Sequence, residues 1–475
     1  MNKLYILLTV GTLLLISSCA TYTAKYSDDY NTDETSTTNK EIEKTFYLIG
    51  DAGKAGSTES SALNAFLDYV SEKKTKGDYL IFLGDNIYEK GLPDKDHEER
   101  TDAESQIDAQ INVAKSFKGK TIFIPGNHDW YSGIKGMKNQ EKYIENALGK
   151  NTFQPENGCP IKAIDITDNI VLLMIDTQWY LNRWDEHPTI NDDCEIKTRN
   201  DFMLELEGEL KKNNEKTILL AMHHPAYTYG PHGGGFSADK HLFPFQSKIP
   251  LPGIASLIAQ FRTQGGISPQ DRYNSRYIEL MNRLTTMARS NDRLILASGH
   301  EHALEYIDAN GVKQIVSGSG SKKSAVSLGK YAKFVYGNQG FVVLEVYKDG
   351  SSQVKYYAAD AGKPSLIFSS EVHPATATYD VSNLPDTFES NIDTSAYSKE
   401  SIEKGTSYKW FWGDHYRYSY GTDINVPIAT LDTLMGGFTV VRKGGGHQTR
   451  SLRLNDKYSR NFALRGVKKS ATQYL

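Results

Sequence analysis

Residues Thr121–Tyr131 read T-I-F-I-P-G-N-H-D-W-Y, a short apolar run followed at once by polar and aromatic residues. The run Thr121–Ile124 is ended by a Pro-Gly pair, and this length and ending favour a buried strand over a helix. The polar residues would then lie at the carboxyl end of the strand, where open α/β sheets bind their ligands. Asn127 offers a neutral amide oxygen to a metal, and His128 can donate a proton. Taken alone, the stretch could equally be an ordinary loop.

The same arrangement recurs four more times along the chain. Apolar runs end in G-D-A-G at Gly50, G-D-N-I-Y at Gly84, A-M-H-H-P at Ala221 and G-H-E-H at Gly299. Segments with helical apolar spacing lie between these runs, and strands that alternate with helices indicate parallel βαβ units. After Ala303, short alternating segments separated by Gly-containing turns predict antiparallel strands that complete a second sheet.

The polar residues at these strand ends include both kinds of ligand used by transition-metal sites. Carboxylate and amide oxygens suit hard cations, while zinc, iron and manganese also accept imidazole nitrogens. The candidate ligands are Asp51, Asp85, Asn127, His223, His300 and His302. Asp85 could bind two ions as a bridge, and two ions about 3.5–4 Å apart form a clamp suited to phosphoryl transfer.

The five motifs, in this order, resemble those of the calcineurin-like metallophosphoesterases. The first motif is Asp-x-Gly rather than Asp-x-His, and Tyr88 follows Asp85 by three residues. Both features are similar to the purple acid phosphatase branch, especially its small tartrate-resistant form. The resemblance extends from about residue 45 to residue 370. It implies an α/β fold, a four-layer α/β/β/α metallophosphoesterase sandwich with a dinuclear metal site.

The resemblance also assigns roles by motif position. It implies that iron(III) is held by Asp51, Asp85, Tyr88 and His302, and a divalent ion of iron, zinc or manganese by Asp85, Asn127, His223 and His300. Two carboxylates and a phenolate suit a trivalent ion, whereas an amide and imidazoles suit a divalent one. His128 matches the proton donor to the leaving group, and His232 matches a second histidine that contacts substrate. Together with Asn127 they are the expected substrate-binding residues. For Tyr88, a core aromatic beside a loop is the alternative.

The implied enzyme is an acid phosphatase that hydrolyses phosphomonoesters by attack of a metal-bound hydroxide. Its substrate would be a phosphorylated small molecule or a phosphoprotein. A phosphodiesterase acting on nucleotides or phospholipid head groups is one alternative, because the same metals serve both reactions. The stretch 233–271, which is longer than in small family members, leaves the choice open. A non-catalytic surface assembly module on the same fold is a third possibility, which the complete ligand set disfavours.

Residues 1–19 have the pattern of a lipoprotein signal peptide. Lys3 precedes the apolar run Leu4–Ile16, and the ending I-S-S-C resembles a bacterial lipobox. We therefore expect Cys19 to be the lipidated mature N-terminus, with a plain secretory signal as the alternative. Residues 20–44 are rich in Ser, Thr, Asp and Asn and predict a flexible tether. The protein is then expected to be exported and anchored by lipid to a bacterial membrane, the outer one, facing the periplasm or the surface.

Composition adds two constraints. The net charge is −4, from 54 basic and 58 acidic side chains, so no polycationic surface for nucleic acid is predicted. In an exported protein the remaining cysteines, Cys159 and Cys194, favour one disulfide, with two unpaired thiols as the alternative.

The C-terminal part departs from the phosphoesterase pattern. Residues 371–408 lose apolar periodicity and predict a linker, so the metallophosphoesterase domain is expected over residues 45–370. Residues 409–475 predict a small β-rich C-terminal module. This module is similar to a segment that precedes an outer-membrane barrel in some bacterial surface proteins, so we expect it to precede or contact such a barrel. The sequence ends at Leu475 without a clear closing element, which favours a fragment of a longer region.

Overall fold

The computed structural model describes residues 20–30, 40–54, 61–243, 250–251, 254–264 and 266–376, together with four short strands after residue 405. The chain divides into two units, Met1–Thr376 and Ala377–Leu475. The predicted signal peptide with Cys19, residues 31–39 of the predicted tether and residues 377–405 of the predicted linker lie outside the described residues. Within the described ranges, no helix has the length and apolar character needed to cross a membrane.

A six-stranded sheet carries the first three candidate motifs. Its strands are β2 (Ile42–Ile49), β3 (Tyr79–Phe82), β4 (Lys120–Phe123), β12 (Gly340–Tyr347), β13 (Ser352–Asp360) and β14 (Lys363–His373). They lie in the order β14-β13-β12-β2-β3-β4. Strands β2, β3 and β4 are parallel, and helices α1 (Ser61–Val70) and α2 (Arg100–Ser116) connect them. The carboxyl ends of these three strands therefore share one edge of the sheet.

An eight-stranded sheet carries the last two motifs. Its strands are β1 (Lys25–Tyr26), β5 (Ile161–Thr167), β6 (Ile170–Ile175), β7 (Thr217–Met222), β8 (Leu294–Ser298), β9 (Leu304–Ala309), β10 (Val312–Ser317) and β11 (Ala332–Tyr336). They lie in the order β1-β11-β9-β10-β8-β7-β6-β5. Strands β6, β7, β8 and β10 lie side by side and are parallel to one another. Their carboxyl ends therefore also share an edge.

The remaining described helices connect the strands or cover the sheets. They are α3 (Asn127–Trp130), α4 (Gly133–Leu148), α5 (Thr177–Leu181), α6 (Arg199–Lys212), α7 (Ala238–Leu242), α8 (Ile254–Gln264) and α9 (Ser275–Ala288). A 3₁₀ turn over Pro231–Gly233 lies between β7 and α7.

Strand β2 shows how the layers are built. Phe46 and Leu48 are buried in an apolar cluster drawn from both sheets, whereas Tyr47 and Ile49 are buried in a second cluster that includes helix residues. Alternate side chains of a strand point to opposite faces, so one face packs on the other sheet and one face packs on helices. Burial on both faces explains why the parallel strands read as continuous apolar runs. The prediction of a four-layer α/β/β/α sandwich is confirmed.

The predicted flexible tether over residues 20–44 is wrong for the parts that the structure describes. Ala20 pairs with Ser237 in a β-bridge, and β1 extends the eight-stranded sheet beside β11. The ring of Tyr30 packs on that of Phe368, with centroids 4.8 Å apart. Backbone pairing at a sheet edge needs no apolar periodicity, so the polar composition of this segment did not reveal it.

The predicted domain limits also shift. Residue 370, the predicted end of the domain, falls inside β14, which pairs with β13 as far as His373. Residue 408, the predicted end of the linker, falls inside β15 (Thr406–Trp412). In the second unit, β15 pairs with β16 (His415–Gly421), and β17 (Thr439–Val441) pairs with β18 (Thr449–Ser451). The other residues of the predicted C-terminal module lie outside the described part of the chain.

Cys159 and Cys194 form a disulfide, with their Cα atoms 5.4 Å apart. It joins the segment before β5 to the segment before α6. Closing a loop of this length stabilises the fold by roughly 3–4 kcal/mol in the chain-entropy description.

Candidate metal centre

The candidate motifs meet where the carboxyl edges of the two sheets face each other. Asp51 follows β2, and His300 follows β8 in the other sheet. The backbone N–H of His300 donates to Asp51 Oδ2 over 2.7 Å, and the N–H of Gly50 donates to the Ser317 carbonyl over 2.7 Å. These bonds join the two edges directly. The structure brings together all seven predicted metal ligands, which are Asp51, Asp85, Tyr88, Asn127, His223, His300 and His302.

Three of these residues form a buried group that could hold a metal ion. Asp51, Asp85 and His223 each offer one ligand atom, and these atoms all lie within 4.8 Å of one another. Two carboxylates beside an imidazole in a buried position are a donor set suited to a transition-metal ion. The other predicted ligands extend this group on two sides.

On one side lie the predicted iron(III) ligands. The Tyr88 hydroxyl donates to Asp51 Oδ1 over 2.9 Å and lies 3.4 Å from His302 Nε2. His302 Nε2 is in turn 3.5 Å from Asp51 Oδ1. Burial raises the pKa of Tyr88 well above its usual range, and the carboxylates of Asp51 and Asp85 raise it further. A cation bound by those carboxylates would reverse their effect on the phenol.

On the other side lie the predicted ligands of the divalent ion. Asn127 Oδ1 is 3.0 Å from His223 Nε2 and 3.0 Å from His300 Nδ1. The other ring nitrogen of each histidine faces a backbone carbonyl. His223 Nδ1 is 2.8 Å from Leu83 O, and His300 Nε2 is 2.9 Å from Gln270 O. An N–H donated to a carbonyl fixes the tautomer and leaves the other nitrogen able to bind a metal.

Asp85 lies between the two sides. Its Oδ1 is 3.3 Å from His223 Nε2 and accepts the backbone N–H of His128 over 2.9 Å. The same carboxylate also interacts with the Tyr88 hydroxyl. At Gly126 a Cβ atom would lie 2.3 Å from Asp85 Oδ1, so only glycine leaves room for the carboxylate in this position.

The donor set therefore fits a dinuclear centre with Asp85 shared by both ions. Carboxylates and a phenol lie on one side, and an amide and imidazoles lie on the other. Burial, together with the nearby histidines His232, His224 and His223, lowers the pKa of His300 well below its usual range. His300 is thus neutral, which is the form in which imidazole binds metals.

Three of the candidate ligands have an unusual backbone conformation. Asp51, Asp85 and His300 have φ values of 58°, 54° and 67°. These values lie in the left-handed region, which costs residues other than glycine about 1–3 kcal/mol and is concentrated at functional sites. Each of these residues directly follows the glycine that ends its strand segment, so the left-handed backbone occurs where the chain enters the centre.

His128 lies beside the centre. Its Nδ1 is 2.6 Å from the Glu89 carbonyl, so Nδ1–H donates there, and its Nε2 is 4.0 Å from Asp85 Oδ2. The ring packs between Tyr88 and Tyr131, with centroid distances of 4.5 and 4.8 Å. The side chain remains partly exposed. This arrangement turns Nε2 towards the Asp85 carboxylate.

His232 lies in the 3₁₀ turn Pro231–Gly233, directly before the stretch 233–271, and its ring packs beside the centre. Its ring centroid is 4.1 Å from that of His300, and its Nδ1 is 2.9 Å from Asp271 Oδ1. The backbone N–H of His232 donates to Glu301 Oε2 over 3.0 Å. The sequence did not single out Asp271, which lies in no strand-end motif. Glu301 lies within the G-H-E-H motif, but only its two histidines were expected to have a role. Both are buried, and both hold His232 in position.

Asp129 is a second buried carboxylate that the sequence left without a role. It accepts backbone N–H groups of Gly126 over 2.7 Å and Ile87 over 3.2 Å, and the Gln140 side chain over 3.0 Å. These bonds tie the Asp85 loop to the Asn127 loop. Burial and the charge of Asp85 raise the pKa of Asp129 to about 7. Asp129 therefore organises the loops that hold the ligands.

Lys322 is a further residue that sequence reasoning missed. Its Nζ lies 3.2 Å from the centroid of the Tyr88 ring. Nearby, Lys54 forms a salt bridge of 2.9 Å with Glu89. Lys322 belongs to the loop after β10, which is parallel to β8 and so ends at the same edge. The sequence predicted antiparallel strands in this region, so no site residue was expected in this loop.

His224, beside the ligand His223, has a different role. Its Nδ1 is 2.7 Å from Thr177 Oγ1 and its Nε2 is 2.6 Å from Gln270 Oε1. Burial and His223 lower its pKa well below the usual value. His224 thus supports Gln270, whose carbonyl orients His300.

The sequence of the chain is similar to those of known phosphoesterases. The calcineurin-like phosphoesterase family matches residues 44–318. Purple acid phosphatase 3 of Arabidopsis thaliana is 22% identical over 325 residues, covering 66% of this chain and 74% of that protein. This similarity supports the predicted purple acid phosphatase branch.

Solved structures show similar chains at low identity. GAP50, the anchor in the inner membrane complex of Plasmodium, aligns with a TM-score of 0.44 and 17% identity, covering 70% of this chain and 89% of that chain. The purple acid phosphatase PPD1 of yellow lupin (Lupinus luteus) aligns with a TM-score of 0.42 and 13% identity, covering 69% of this chain and 53% of that chain.

The family match spans more than half of the 475 residues and contains every candidate ligand from Asp51 to His302. The prediction of a metal-dependent phosphoric ester hydrolase is confirmed by this match and by the buried Asp/Asp/His group. The chain belongs to the calcineurin-like phosphoesterase family.

Proposed function

We propose that this phosphoesterase is a phosphomonoesterase with a dinuclear centre, exported and anchored to a membrane through lipid on Cys19. The observation that supports the catalytic part most strongly is the pair of donor sets that meet at Asp85. Asp51, Tyr88 and His302 converge on one side, and the Asn127 amide with two imidazoles converges on the other. The match to an acid phosphatase from a plant supports the monoester preference.

We propose iron(III) for the side that contains Tyr88 and a divalent ion of iron, zinc or manganese for the other side. When bound, the two ions would supply a water of lowered pKa and neutralise charge that develops on the phosphoryl group. The phenol suits a trivalent ion because, as a phenolate, it adds a negative charge to those of the carboxylates.

The side chains around the centre have separate tasks in this proposal. His128 gives a proton from Nε2 to the oxygen of the leaving group, while its Nδ1–H stays bonded to Glu89 O. His232 and the Asn127 amide contact the phosphoryl oxygens. Lys322, close to the Tyr88 ring, adds positive charge beside the site and so favours a dianionic monoester over a monoanionic diester.

The test is the turnover of three substrates by metal-loaded protein. We expect kcat/KM for p-nitrophenyl phosphate to exceed that for bis(p-nitrophenyl) phosphate by about tenfold or more, or at least 1.4 kcal/mol in transition-state binding. Pyrophosphate measures whether an anhydride is accepted. Faster turnover of the diester would reject the monoester proposal and support the phosphodiesterase alternative. Hydrolysis of none of them by fully loaded protein would support the non-catalytic alternative.

The anchor is tested separately in cells that are fed an alkyne-tagged fatty acid. The apolar run that ends at I-S-S-C supports lipid on Cys19. We expect the tag on the wild-type chain, which should fractionate with membranes, and no tag on Cys19→Ala. A wild-type chain without tag would reject the anchor and leave the catalytic proposal untouched.

A further inference from the structure

Exposed apolar side chains are concentrated on two neighbouring helices, α7 and α8, and on Leu251 between them. Five of them are between 39% and 68% exposed, and we call them the apolar helix surface: Leu242, Leu251, Ile254, Leu257 and Phe261. The backbone N–H of Leu251 donates to the Leu242 carbonyl over 2.8 Å, so the two segments adjoin. Contiguous apolar exposure of this kind marks an interaction surface.

The spacing on α8 shows that this exposure is a helix face. Leu257 and Phe261 follow Ile254 by three and seven residues, and such positions lie on one side of a helix. Ala255 faces the opposite way, with 1% exposure, and Ser256 Oγ lies 3.1 Å from His241 Nδ1 of α7. Helix α8 thus buries Ala255 and presents Ile254, Leu257 and Phe261 to solvent, the reverse of an ordinary surface helix.

The N-terminal segment reaches the same place. The N–H of Ala20 donates to the Phe236 carbonyl over 3.2 Å, and Ala20 pairs with Ser237, the residue directly before α7. Ala20 is buried, so no spacer separates residue 19 from the folded unit. From Ser237 to Leu242 the helix rises only about 8 Å. A lipid on Cys19 would therefore emerge beside the apolar helix surface.

We propose that the apolar helix surface inserts into the interfacial region of the lipid bilayer in which the Cys19 lipid is embedded. This proposal rests on the lipid anchor proposed above. Interfacial helices combine a large apolar face with a polar face that carries no excess of negative charge. Helix α8 contains no acidic residue, and on α7 the exposed Asp239 is balanced by the exposed Lys240. The anchor also makes insertion intramolecular, so modest affinity of the surface suffices.

The experiment measures the surface without the lipid. The chain from Ala20 onward, which lacks Cys19 and therefore the lipid, is metal-loaded with its disulfide intact, mixed with vesicles of phosphatidylethanolamine and phosphatidylglycerol, and sedimented. We expect it to bind weakly, and expect Leu257→Gln with Phe261→Gln to lower the partition coefficient by about tenfold or more. Leu204→Gln, at a residue that is 58% exposed on α6, is the matched control and should bind like wild type. Turnover of p-nitrophenyl phosphate should be equal in all three proteins, which shows that they are folded.

Equal partitioning of wild type and the double variant would overturn the proposal, whatever the result of fatty-acid labelling. The proposal would also be overturned if the wild-type chain does not bind vesicles and sediments as a dimer, while the double variant sediments as a monomer. In that case a second copy of the chain covers the surface. Failure of lipidation alone would instead appear as an untagged wild-type chain whose vesicle binding still depends on Leu257 and Phe261.

Discussion

The Tyr88 hydroxyl donates a 2.9 Å hydrogen bond to Asp51 Oδ1, although the two residues follow different strands of the six-stranded sheet. Lys322 Nζ lies 3.2 Å from the centroid of the same ring. The phenol is therefore oriented by polar groups and faces the carboxylates of the centre. This favours a ligand role for Tyr88 over the alternative of a core aromatic that merely fills space.

Tyr88→Phe should abolish a visible absorption band of the oxidised, iron-loaded protein. A phenolate bound to iron(III) absorbs through ligand-to-metal charge transfer, and phenylalanine keeps the ring but removes the oxygen. The variant should also hold its first metal less tightly, as measured by metal content after dialysis against a chelator. Absence of the band in iron-loaded, oxidised wild type would reject Tyr88 as a ligand.

His128→Ala should lower kcat by about 10²–10⁴, the usual contribution of a general acid, with the metal content unchanged. The charge-transfer band should persist, because the imidazole is not among the proposed ligands. His97→Ala, which removes an exposed imidazole on the segment before α2, is the control and should keep wild-type kcat. Normal turnover by the His128 variant would contradict its role as proton donor.

Asp271→Asn should reduce kcat/KM for a monoester by about 10–100-fold, the usual effect of removing a supporting carboxylate behind a site histidine. Asp271 Oδ1 is 2.9 Å from His232 Nδ1, so the change weakens the orientation of the imidazole. The pH profile of kcat/KM should shift as well, which a purely structural defect would not cause. Asp292→Asn, at an exposed carboxylate, should leave both quantities unchanged.

Glu305→Gln should make the free energy of unfolding less dependent on pH. Glu305 accepts from Thr228 Oγ1 over 2.7 Å and from the Tyr229 N–H over 3.0 Å, and burial raises its pKa from 4.5 to about 7. Between these values the folded state keeps a proton that the unfolded state has lost. The wild-type free energy of unfolding should therefore fall as pH rises through this window, by on the order of 3 kcal/mol from this group.

Glutamine mimics the protonated side chain, so the variant should show a smaller fall. Urea unfolding below and above the window, at equal metal loading, measures the difference. Glu371→Gln, exposed on β14, serves as the control. A slope equal to that of wild type in the Glu305 variant would show that Glu305 does not hold the proton.

A chain that ends after Thr376 should keep its kcat per metal-loaded molecule. Every candidate ligand and each hydrogen-bond partner described above precedes Thr376, where the first unit ends. The cut also follows His373, so β14 remains whole. A lower kcat at equal metal content would show that residues 377–475 contribute to the site.

Much of the fold follows from strand runs that are buried on both faces. The run Thr121–Ile124 and its four counterparts could be recognised because β strands between two layers must be apolar throughout. The N-terminal strand β1 could not, since Lys25 and Tyr26 pair through their backbone at a sheet edge. The same limit applied to the end of β14, an edge strand whose last residues, Ser369–His373, are mostly polar.

The candidate ligands could be proposed from the sequence because each lies in a short motif that follows a strand. Their supporting residues could not, because they come from other places in the chain. Asp271 lies after a long connection, and Lys322 lies after a strand that was expected to be antiparallel. Asp129 was visible in the opening stretch, but only the fold shows that it bonds the Asp85 loop. Positioning residues depend on contacts distant in sequence, and local patterns carry no information about those contacts.

The left-handed backbone of Asp51, Asp85 and His300 has a consequence for engineering. Glycine at these positions would relieve conformational strain, yet it would delete a ligand each time. At these positions, a substitution by glycine that raises the stability of the metal-free protein would therefore lower its activity. A selection for heat tolerance alone would accept inactive variants, so any directed evolution of this chain must screen turnover in the same round.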